Sequence, residues 1–206
     1  MDLNRRQALG AFGAVGLGAL LPGCGEDELA RSCRVTAEST EGPFYFDADA
    51  IRRDIREDRQ GVELRLMLRV READRCTPIP NAVVDVWHCD AQGEYSAAGE
   101  RFLRGAQVTD REGVAEFVTV YPGWYQGRTP HIHAKVHLDK QTVLTTQLFF
   151  DDALSSRVYR DRRYARGEQQ EVDNSADSIF DEALVLSTRR RGSGWVGALT
   201  FDVERA

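Results

Sequence analysis

Apolar and charged residues alternate in several stretches of this chain. The alternation is clearest in GVELRLMLRVRE, residues 61–72, and it is typical of an antiparallel strand with one buried face. Turn signals rich in Pro, Gly and Asp separate this stretch from others with a similar pattern. The predicted strands lie at 61–72, at about 82–89, within 109–120, at 131–138, at 142–150 and at 194–204.

One segment has helical rather than strand spacing. The sequence DDALSSRVYRDRRYARG, residues 151–167, starts with an Asp that suits a helix N-cap, and it predicts a short helix in the C-terminal half. Several short strands joined by turns, with one short helix, indicate an all-β fold: an antiparallel β-sandwich with long loops. A chain of 206 residues, 42% of them hydrophobic, can bury one core, so we expect a single folded domain over residues 40–206.

Charge argues against a nucleic-acid partner. The chain has 27 basic and 33 acidic residues, a net charge of −6, and its one basic run is Arg189–Arg191. Proteins that bind nucleic acid carry a much more extensive basic surface.

The first 24 residues have the pattern of an export signal. Arg5 and Arg6 precede an apolar run, Ala8–Leu21, that is too short and too rich in glycine to span a membrane. Paired arginines before such a run resemble a Tat signal, with a Sec-type n-region as the alternative. The sequence LLPGC ends at Cys24 and resembles a lipoprotein processing site, the alternative being simple cleavage nearby. We therefore expect a periplasmic or cell-envelope protein, attached to the membrane through a lipidated Cys24, with residues 25–39 as a tether.

Export would permit disulfides. If Cys24 is acylated, Cys33, Cys76 and Cys89 remain, and an odd number leaves one thiol over. We favour a bridge between Cys33 and Cys76, which would tie the N-terminal arm to a loop after the first strand. Cys89 is then a small buried residue.

Two of the four histidines lie one residue apart. His131 and His133 are on a predicted strand, so both imidazoles point to the same face. They are either ordinary core or surface residues, or two ligands of a metal ion. A cupin-like site lacks the Glu it needs shortly afterwards. A facial triad with Asp139 would span about 20 Å of strand, and a three-histidine zinc site with His137 about 13 Å, so neither fits.

A tyrosine-based set fits better. Tyr125 lies six residues before His131 in a loop rich in Gly and Pro. The run of Pro-Gly-x-Tyr, then Arg128, then His-x-His resembles the metal-binding segment of the intradiol ring-cleavage dioxygenases. In that family a second tyrosine closes a segment like VVDVWHCDAQGEYS, which here supplies Tyr95. Further matches are TEGPFYFD at 40–47, RGAQVTDREGVAEFVTVYPG, and TTQLFFDD, which contains Gln147, so the resemblance extends from residue 40 to about 182.

The resemblance implies a non-haem Fe(III) centre with two tyrosinate and two histidine ligands. The implied ligands are Tyr95, Tyr125, His131 and His133. Tyr125 would be the tyrosinate displaced by substrate, with His133 opposite it. Arg128 matches the uncoordinated active-site arginine, and Gln147 a polar residue of the pocket. The implied reaction is intradiol cleavage of a catechol-type diol by O₂ to a cis,cis-muconate-type diacid, in a protein that usually forms homodimers.

Two departures point to a short, exported branch related to protocatechuate 3,4-dioxygenase and catechol 1,2-dioxygenase. The chain lacks the long N-terminal helical segment of the catechol enzymes, and it is more compact between Tyr95 and Tyr125 than the protocatechuate enzymes. We expect residues such as Phe44, Tyr45 or Trp124 to select the substrate. Trp87 and His88 are expected to be structural.

A non-catalytic module is the alternative. The segments CTPIPNAVVDVW, TDREGVAEF and YPGWY also resemble transthyretin-like cell-surface domains, which bind partners and catalyse nothing. Such a module would not require Tyr95, Tyr125, His131 and His133 together.

Overall fold

The computed structural model describes residues 33–47, 50–125, 127–164 and 172–205. It contains two β-sheets packed face to face, as the alternating sequence pattern predicts. The strands are β1 (Glu63–Glu72), β2 (Thr77–Pro78), β3 (Val83–Trp87), β4 (Arg104–Val108), β5 (Val114–Val120), β6 (His131–Leu138), β7 (Gln141–Phe149), β8 (Ser187–Arg191) and β9 (Gly194–Val203).

The first sheet is built around β1. Strands β2 and β5 pair with β1 in antiparallel fashion, β9 runs parallel to β1, and β8 forms a hairpin with β9. Every second residue of β1 from Leu64 to Val70 is buried, and Leu64, Leu66 and Leu68 are fully buried in the core between the sheets. The two-residue period of the sequence therefore corresponds directly to one buried face.

The second sheet has the order β4-β3-β6-β7 and carries the candidate site. On β6, Ile132, Ala134 and Val136 point into the shared core. His131 and His133 point to the opposite face, and both are also buried. This outer face must therefore be covered by other parts of the chain.

The N-terminal arm, residues 33–47, provides part of that cover. Its backbone is hydrogen-bonded to both sheets, with Thr36 N donating to Asp202 O (2.9 Å) and Ser39 N donating to Thr145 O (2.8 Å). A disulfide joins Cys33 to Cys76, the pairing favoured from the sequence, with a Cα–Cα distance of 5.5 Å. Residues 33–39, the second half of the expected tether, are thus attached to the sandwich.

The predicted helix is present as α1 (Asp152–Val158). Asp151 caps it by accepting a hydrogen bond from Leu154 N (3.0 Å). Among the residues that the structure describes, three short 3₁₀ helices follow at Arg162–Tyr164, Asn174–Ala176 and Glu182–Leu184. The described residues contain no helix that is long and apolar enough to cross a membrane.

Two strands of ordinary length, β4 and β8, were not predicted. The sequence of β8, STRRR, has no apolar face, and the strand lies at the edge of its sheet with mostly exposed side chains. Charged residues at an edge discourage pairing with other chains, and they also remove the alternating pattern. The sequence of β4, RGAQV, is interrupted by Gly105, which packs closely against Ile55 and Arg52. The expected export signal, Cys24 and residues 25–32 lie outside the described residues.

Candidate metal centre

Four side chains from three segments converge beside the start of β6. Tyr95 comes from the loop after β3, Tyr125 from the loop between β5 and β6, and His131 and His133 from β6 itself. His131 Nε2 lies 3.1 Å from Tyr125 Oη and 3.4 Å from Tyr95 Oη. His133 Nε2 lies 3.2 Å from Tyr95 Oη. The side chains that the sequence grouped therefore meet at their donor atoms.

These separations suit ligands of one ion. Metal bonds to protein N and O atoms are about 2.0–2.2 Å long, so donors at right angles around one ion lie about 3 Å apart. Three of the four tyrosine–histidine pairs have this spacing. For the fourth pair, Tyr125 and His133, no hydrogen bond is seen within the described residues.

The β6 strand and its neighbours orient the two imidazoles. His131 donates from Nδ1 to Thr129 O (2.7 Å), which leaves the lone pair of Nε2 directed towards the tyrosines. His133 stacks on Trp87 of β3, with ring centroids 4.9 Å apart, and the two residues are cross-strand partners. His133 Nδ1 is buried with no hydrogen-bond partner in the described residues. The polar contact of this ring is therefore made by Nε2, with Tyr95 Oη.

The loop before β6 depends on two glycines. A β-carbon at Gly123 would lie 2.7 Å from the carbonyl oxygens of Asp90 and Ala91, so no other residue fits without movement of the backbone. Gly127 has φ +78°, in the left-handed region that favours glycine. Directly after Gly127, Arg128 N donates to Tyr125 O (3.1 Å), which turns the chain and brings Tyr125 beside the histidines.

Arg128 lies next to two of the four donors. Its Nη1 is 3.4 Å from Tyr125 Oη and 3.4 Å from His131 Nε2. Its Nη2 donates to Gln147 Oε1 (2.5 Å), and its Nε donates to Asp177 Oδ2 (2.9 Å). The guanidinium therefore faces the centre with one nitrogen while carboxylate and amide oxygens hold the other two.

Gln147 connects Arg128 to the N-terminal arm. It lies on β7 opposite His133, and its Nε2 donates to Thr40 O (2.9 Å). The side chain is fully buried, so both ends of its amide must be satisfied within the protein.

Burial keeps all four donors neutral in the absence of a cation. Loss of solvation raises the pKa of Tyr95 well above its usual value and also raises the pKa of Tyr125. Loss of solvation lowers the pKa of His131 to about 3 and lowers the pKa of His133 well below its usual value, and the neighbouring Arg128 adds to both histidine shifts. A bound multivalent cation would reverse the tyrosine shifts, because it stabilises the phenolate.

The remaining histidines and Asp139 lie elsewhere. His88 donates from Nδ1 to Cys89 O and accepts from Thr119 Oγ1, both at 2.7 Å, so it is a satisfied core residue. His137 follows an irregularity in strand pairing and contacts Thr142 (3.0 Å), and Asp139 is in the β6–β7 turn. Within the described ranges, no three His, Cys, Asp or Glu residues form a metal site, so the tyrosines are essential to this one.

The three residues suggested for substrate selection, Phe44, Tyr45 and Trp124, make different contacts. Phe44 of the arm stacks on Tyr95, with ring centroids 4.3 Å apart, and meets Tyr125 edge-on at 6.4 Å. Tyr45 packs against Trp87, with ring centroids 4.7 Å apart, and its hydroxyl donates to Asp85 Oδ2 (3.3 Å), so its place in the pocket stays a prediction. Trp124 is half-buried in the loop beside Tyr125.

Sequence reasoning missed Asp177. The residue is 46 positions after His131, and its local sequence, SADSIF, has no feature of a catalytic motif. Its contacts with Arg128 and Thr129 in the folded chain reveal it.

Comparison with known proteins gives the same family as the residue pattern. The model of the Dioxygenase family (Dioxygenase_C) matches residues 40–157, more than half of the chain. The chain is 28% identical over 146 residues to chlorocatechol 1,2-dioxygenase of Rhodococcus opacus, a match that covers 56% of this chain and 56% of that enzyme. It thus spans little more than half the length of this curated relative.

Solved structures extend the likeness to most of the fold. An intradiol ring-cleavage dioxygenase from Tetranychus urticae superposes with a TM-score of 0.79 and 30% identity, over 84% of this chain and 95% of that one. The dioxygenase domain of a dioxygenase and carbohydrate-binding protein fusion from Streptomyces sp. SirexAA-E gives a TM-score of 0.68 and 32% identity, over 84% and 100% of the two chains.

Proposed function

The chain belongs to the intradiol ring-cleavage dioxygenase family, and we propose that it opens a catechol-type ring with O₂ at a non-haem Fe(III) centre. The carbon–carbon bond between the two hydroxyl-bearing carbons breaks, both oxygen atoms of O₂ enter the product, and a cis,cis-muconate-type diacid forms. The observation that carries the proposal is the convergence of Tyr95, Tyr125, His131 and His133, with three of the four tyrosine–histidine pairs of donor atoms 3.1–3.4 Å apart.

The donor chemistry supports iron in its trivalent state. Phenolate is a hard, anionic ligand, and two phenolates with two neutral imidazoles favour a small trivalent cation over the divalent alternatives. Burial disfavours ionisation of both phenols, so these tyrosines become good ligands only for a cation that is strong enough to displace their protons. Bound there, Fe(III) would supply Lewis acidity towards the two substrate oxygens and the redox chemistry that lets a catechol react with O₂.

Tyr125 is suited to receive a substrate proton. It lies on a loop, it is the less enclosed of the two tyrosines, and Arg128 Nη1 is 3.4 Å from its oxygen. We assign Tyr125 Oη as the base for one catechol hydroxyl, with Arg128 stabilising the negative charge that passes between the two oxygens. Gln147 holds Arg128 in this orientation.

Phe44 supplies an aromatic wall next to the donors. It stacks on Tyr95 yet is 41% exposed, so part of its ring remains available at the edge of the site. A planar catechol can contact this face while its oxygens reach the centre. We propose Phe44, rather than Tyr45, as the contact of the arm with substrate.

Export is a separate proposal. The paired Arg5 and Arg6 support Tat export, Cys24 supports lipid attachment at the cell envelope, and the Cys33–Cys76 disulfide supports an oxidising compartment. Mass analysis of the protein from membrane and soluble fractions would test the lipid attachment, with Cys24→Ala as the comparison variant. A wild-type protein that stays unmodified at Cys24 would refute lipidation.

The test of the proposed function is a visible absorption spectrum of the iron-loaded protein, with iron quantified, before and after anaerobic addition of catechol. We expect one iron per chain, a broad tyrosinate band, and a shift to longer wavelength with catechol. Tyr95→Phe and Tyr125→Phe should each change the band. Tyr159→Phe is the matched control, since that hydroxyl donates to Pro122 O (3.1 Å), away from the four donors. A protein that remains colourless after loading with Fe(III) would contradict the proposal and favour a binding module.

A further inference from the structure

Asp177 is a buried carboxylate directly behind the candidate centre. It follows the 3₁₀ helix Asn174–Ala176, and only 1% of its side chain is exposed. A buried carboxylate is costly unless hydrogen bonds and an opposite charge compensate it. Its contacts therefore indicate what the residue is held there to do.

The two oxygens of Asp177 receive three hydrogen bonds. Oδ2 accepts from Arg128 Nε (2.9 Å) and from Thr129 N (3.0 Å), and Oδ1 accepts from Ile179 N (2.9 Å). Two of these donors belong to adjacent residues, Arg128 and Thr129, of the loop that carries Tyr125 and leads into β6. One carboxylate thus joins the 3₁₀ segment to the side chain of Arg128 and the backbone of Thr129.

The first connection sets the direction of the guanidinium. Asp177 takes Nε and Gln147 takes Nη2, which leaves Nη1 facing Tyr125 Oη and His131 Nε2. A free arginine side chain samples many rotamers, whereas a planar guanidinium held at two nitrogens has one orientation. The negative charge of Asp177 also balances the positive charge of Arg128, so the arginine brings directed donors to the centre with little net charge.

The second connection reaches a candidate ligand. Thr129 N binds Asp177, and Thr129 O accepts from His131 Nδ1 (2.7 Å). That carbonyl keeps the proton on Nδ1 and the lone pair on Nε2, which is the tautomer a metal requires. Thr129 Oγ1 also donates to Asn174 Oδ1 (2.8 Å), so the 3₁₀ helix and the residue that follows it each hold Thr129 once.

We propose that Asp177 is a positioning residue of the centre, which aims Arg128 through its Nε and fixes the ring of His131 through the backbone of Thr129. The proposal rests on the proposed function, because the centre it serves is the Fe(III) site described above. Asp177 touches neither substrate nor metal, and its effect passes through the two loop residues.

The experiment compares Asp177→Asn with Asp181→Asn. Asp181 caps the next 3₁₀ helix by accepting from Ala183 N (2.9 Å), so the control makes the same chemical change in the same segment, away from the centre. Iron affinity is measured by competition with a chelator, and kcat and KM by catechol turnover. We expect Asp177→Asn to lower iron affinity and kcat each by about 10- to 100-fold, with less change in KM, and Asp181→Asn to match wild type.

Iron affinity and turnover separate the two hypotheses. If wild type binds iron but cleaves no catechol, the proposed function fails while the affinity comparison still tests Asp177. If Asp177→Asn binds iron and turns over as wild type does, the positioning role is overturned.

A second comparison, made in the Arg128→Met variant, covers the case in which Asp177→Asn does not fold. Removing the carboxylate alone leaves a guanidinium unpaired in a largely buried site, whereas Arg128→Met with Asp177→Asn removes both charges. Relative to Arg128→Met, we expect the double variant to lose iron affinity through the His131 branch, with little further loss of kcat. Equal iron affinity in Arg128→Met and the double variant would refute the His131 branch.

Discussion

Loss of the Cys33–Cys76 disulfide should lower the stability of the domain without removing the N-terminal arm from its position. The bridge spans a sequence separation of 43 residues and joins the arm to the turn between β1 and β2. In the folded state, other bonds hold the same arm, among them Thr36 N to Asp202 O (2.9 Å) and Asp202 N to Thr36 Oγ1 (2.8 Å). The disulfide therefore acts mainly on the unfolded chain, in which it keeps Cys33 and Cys76 together and so lowers the conformational entropy.

The magnitude follows from the length of the closed loop. For a loop of this size, the chain-entropy relation gives a loss of about 4 kcal/mol at 25 °C when the bridge is removed. For a domain of this size, 1 kcal/mol corresponds to about 2–4 °C in Tm, so we expect a decrease of about 8–16 °C.

The assay is urea unfolding of the metal-free protein without reductant. Cys33→Ala, Cys76→Ala and the double variant should all lose about the same stability, because each breaks the same bond. Wild type with reductant should match the double variant. Cys89→Ala serves as the control, since Cys89 is a buried thiol near Gly123 O and its removal leaves the bridge intact.

Two results would refute the reasoning. A double variant that loses the sum of the two single losses would show that the cysteines act through separate contacts rather than through one bond. A loss below about 1 kcal/mol would show that the unfolded chain is already compact between the two positions.

Three further predictions concern the arm, the core and the pocket. Gly42 has φ +72°, and a β-carbon there would lie 3.1 Å from His133 Cε1, so Gly42→Ala should cost about 1–2 kcal/mol and also weaken iron binding. Gly192→Ala, at φ +58° with no atom within 4 Å, should cost the same stability but leave iron affinity unchanged. Burial lowers the pKa of His88 to about 4, so the folded protein excludes a proton that the unfolded chain binds below about pH 6.5. The free energy of unfolding should therefore fall between pH 7 and pH 4 by about 3 kcal/mol more in wild type than in His88→Gln. Urea unfolding of the metal-free proteins measures this, and an equal pH dependence in the two proteins would contradict it. Phe44→Ala should raise KM for catechol by about 2- to 12-fold while the visible band of the iron-loaded protein is kept, and an unchanged KM would remove Phe44 from the pocket.

Local sequence determined the elements in which side chains alternate strictly. In β1 and β6, one face of each strand must enter the core, so the period of two in the sequence also sets which residues share the other face. His131 and His133 were therefore placed side by side by strand geometry alone. The resemblance of the surrounding residues to a known family then supplied Tyr95, Tyr125, Arg128 and the class of reaction.

The pattern failed where polar and apolar residues do not alternate along the sequence. The β8 strand exposes most of its side chains at a sheet edge, so its sequence has no apolar face to detect. Tyr45 and Phe44 are neighbours in an irregular arm, where direction depends on what each ring meets. Tyr45 packs on Trp87, while Phe44 packs on Tyr95 at the centre.

Only the tertiary structure decided how the centre is supported. Asp177 reaches Arg128 across 49 positions of sequence, and Thr40 reaches Gln147 across 107. Such contacts depend on how the arm, the 3₁₀ segment and the sheet pack together, which no local period encodes. The candidate ligands could be named from the sequence because each lies in a short motif that resembles a known family. The residues that support them could not, because Asp177 and Thr40 lie in no such motif and reach the centre only when distant segments pack together.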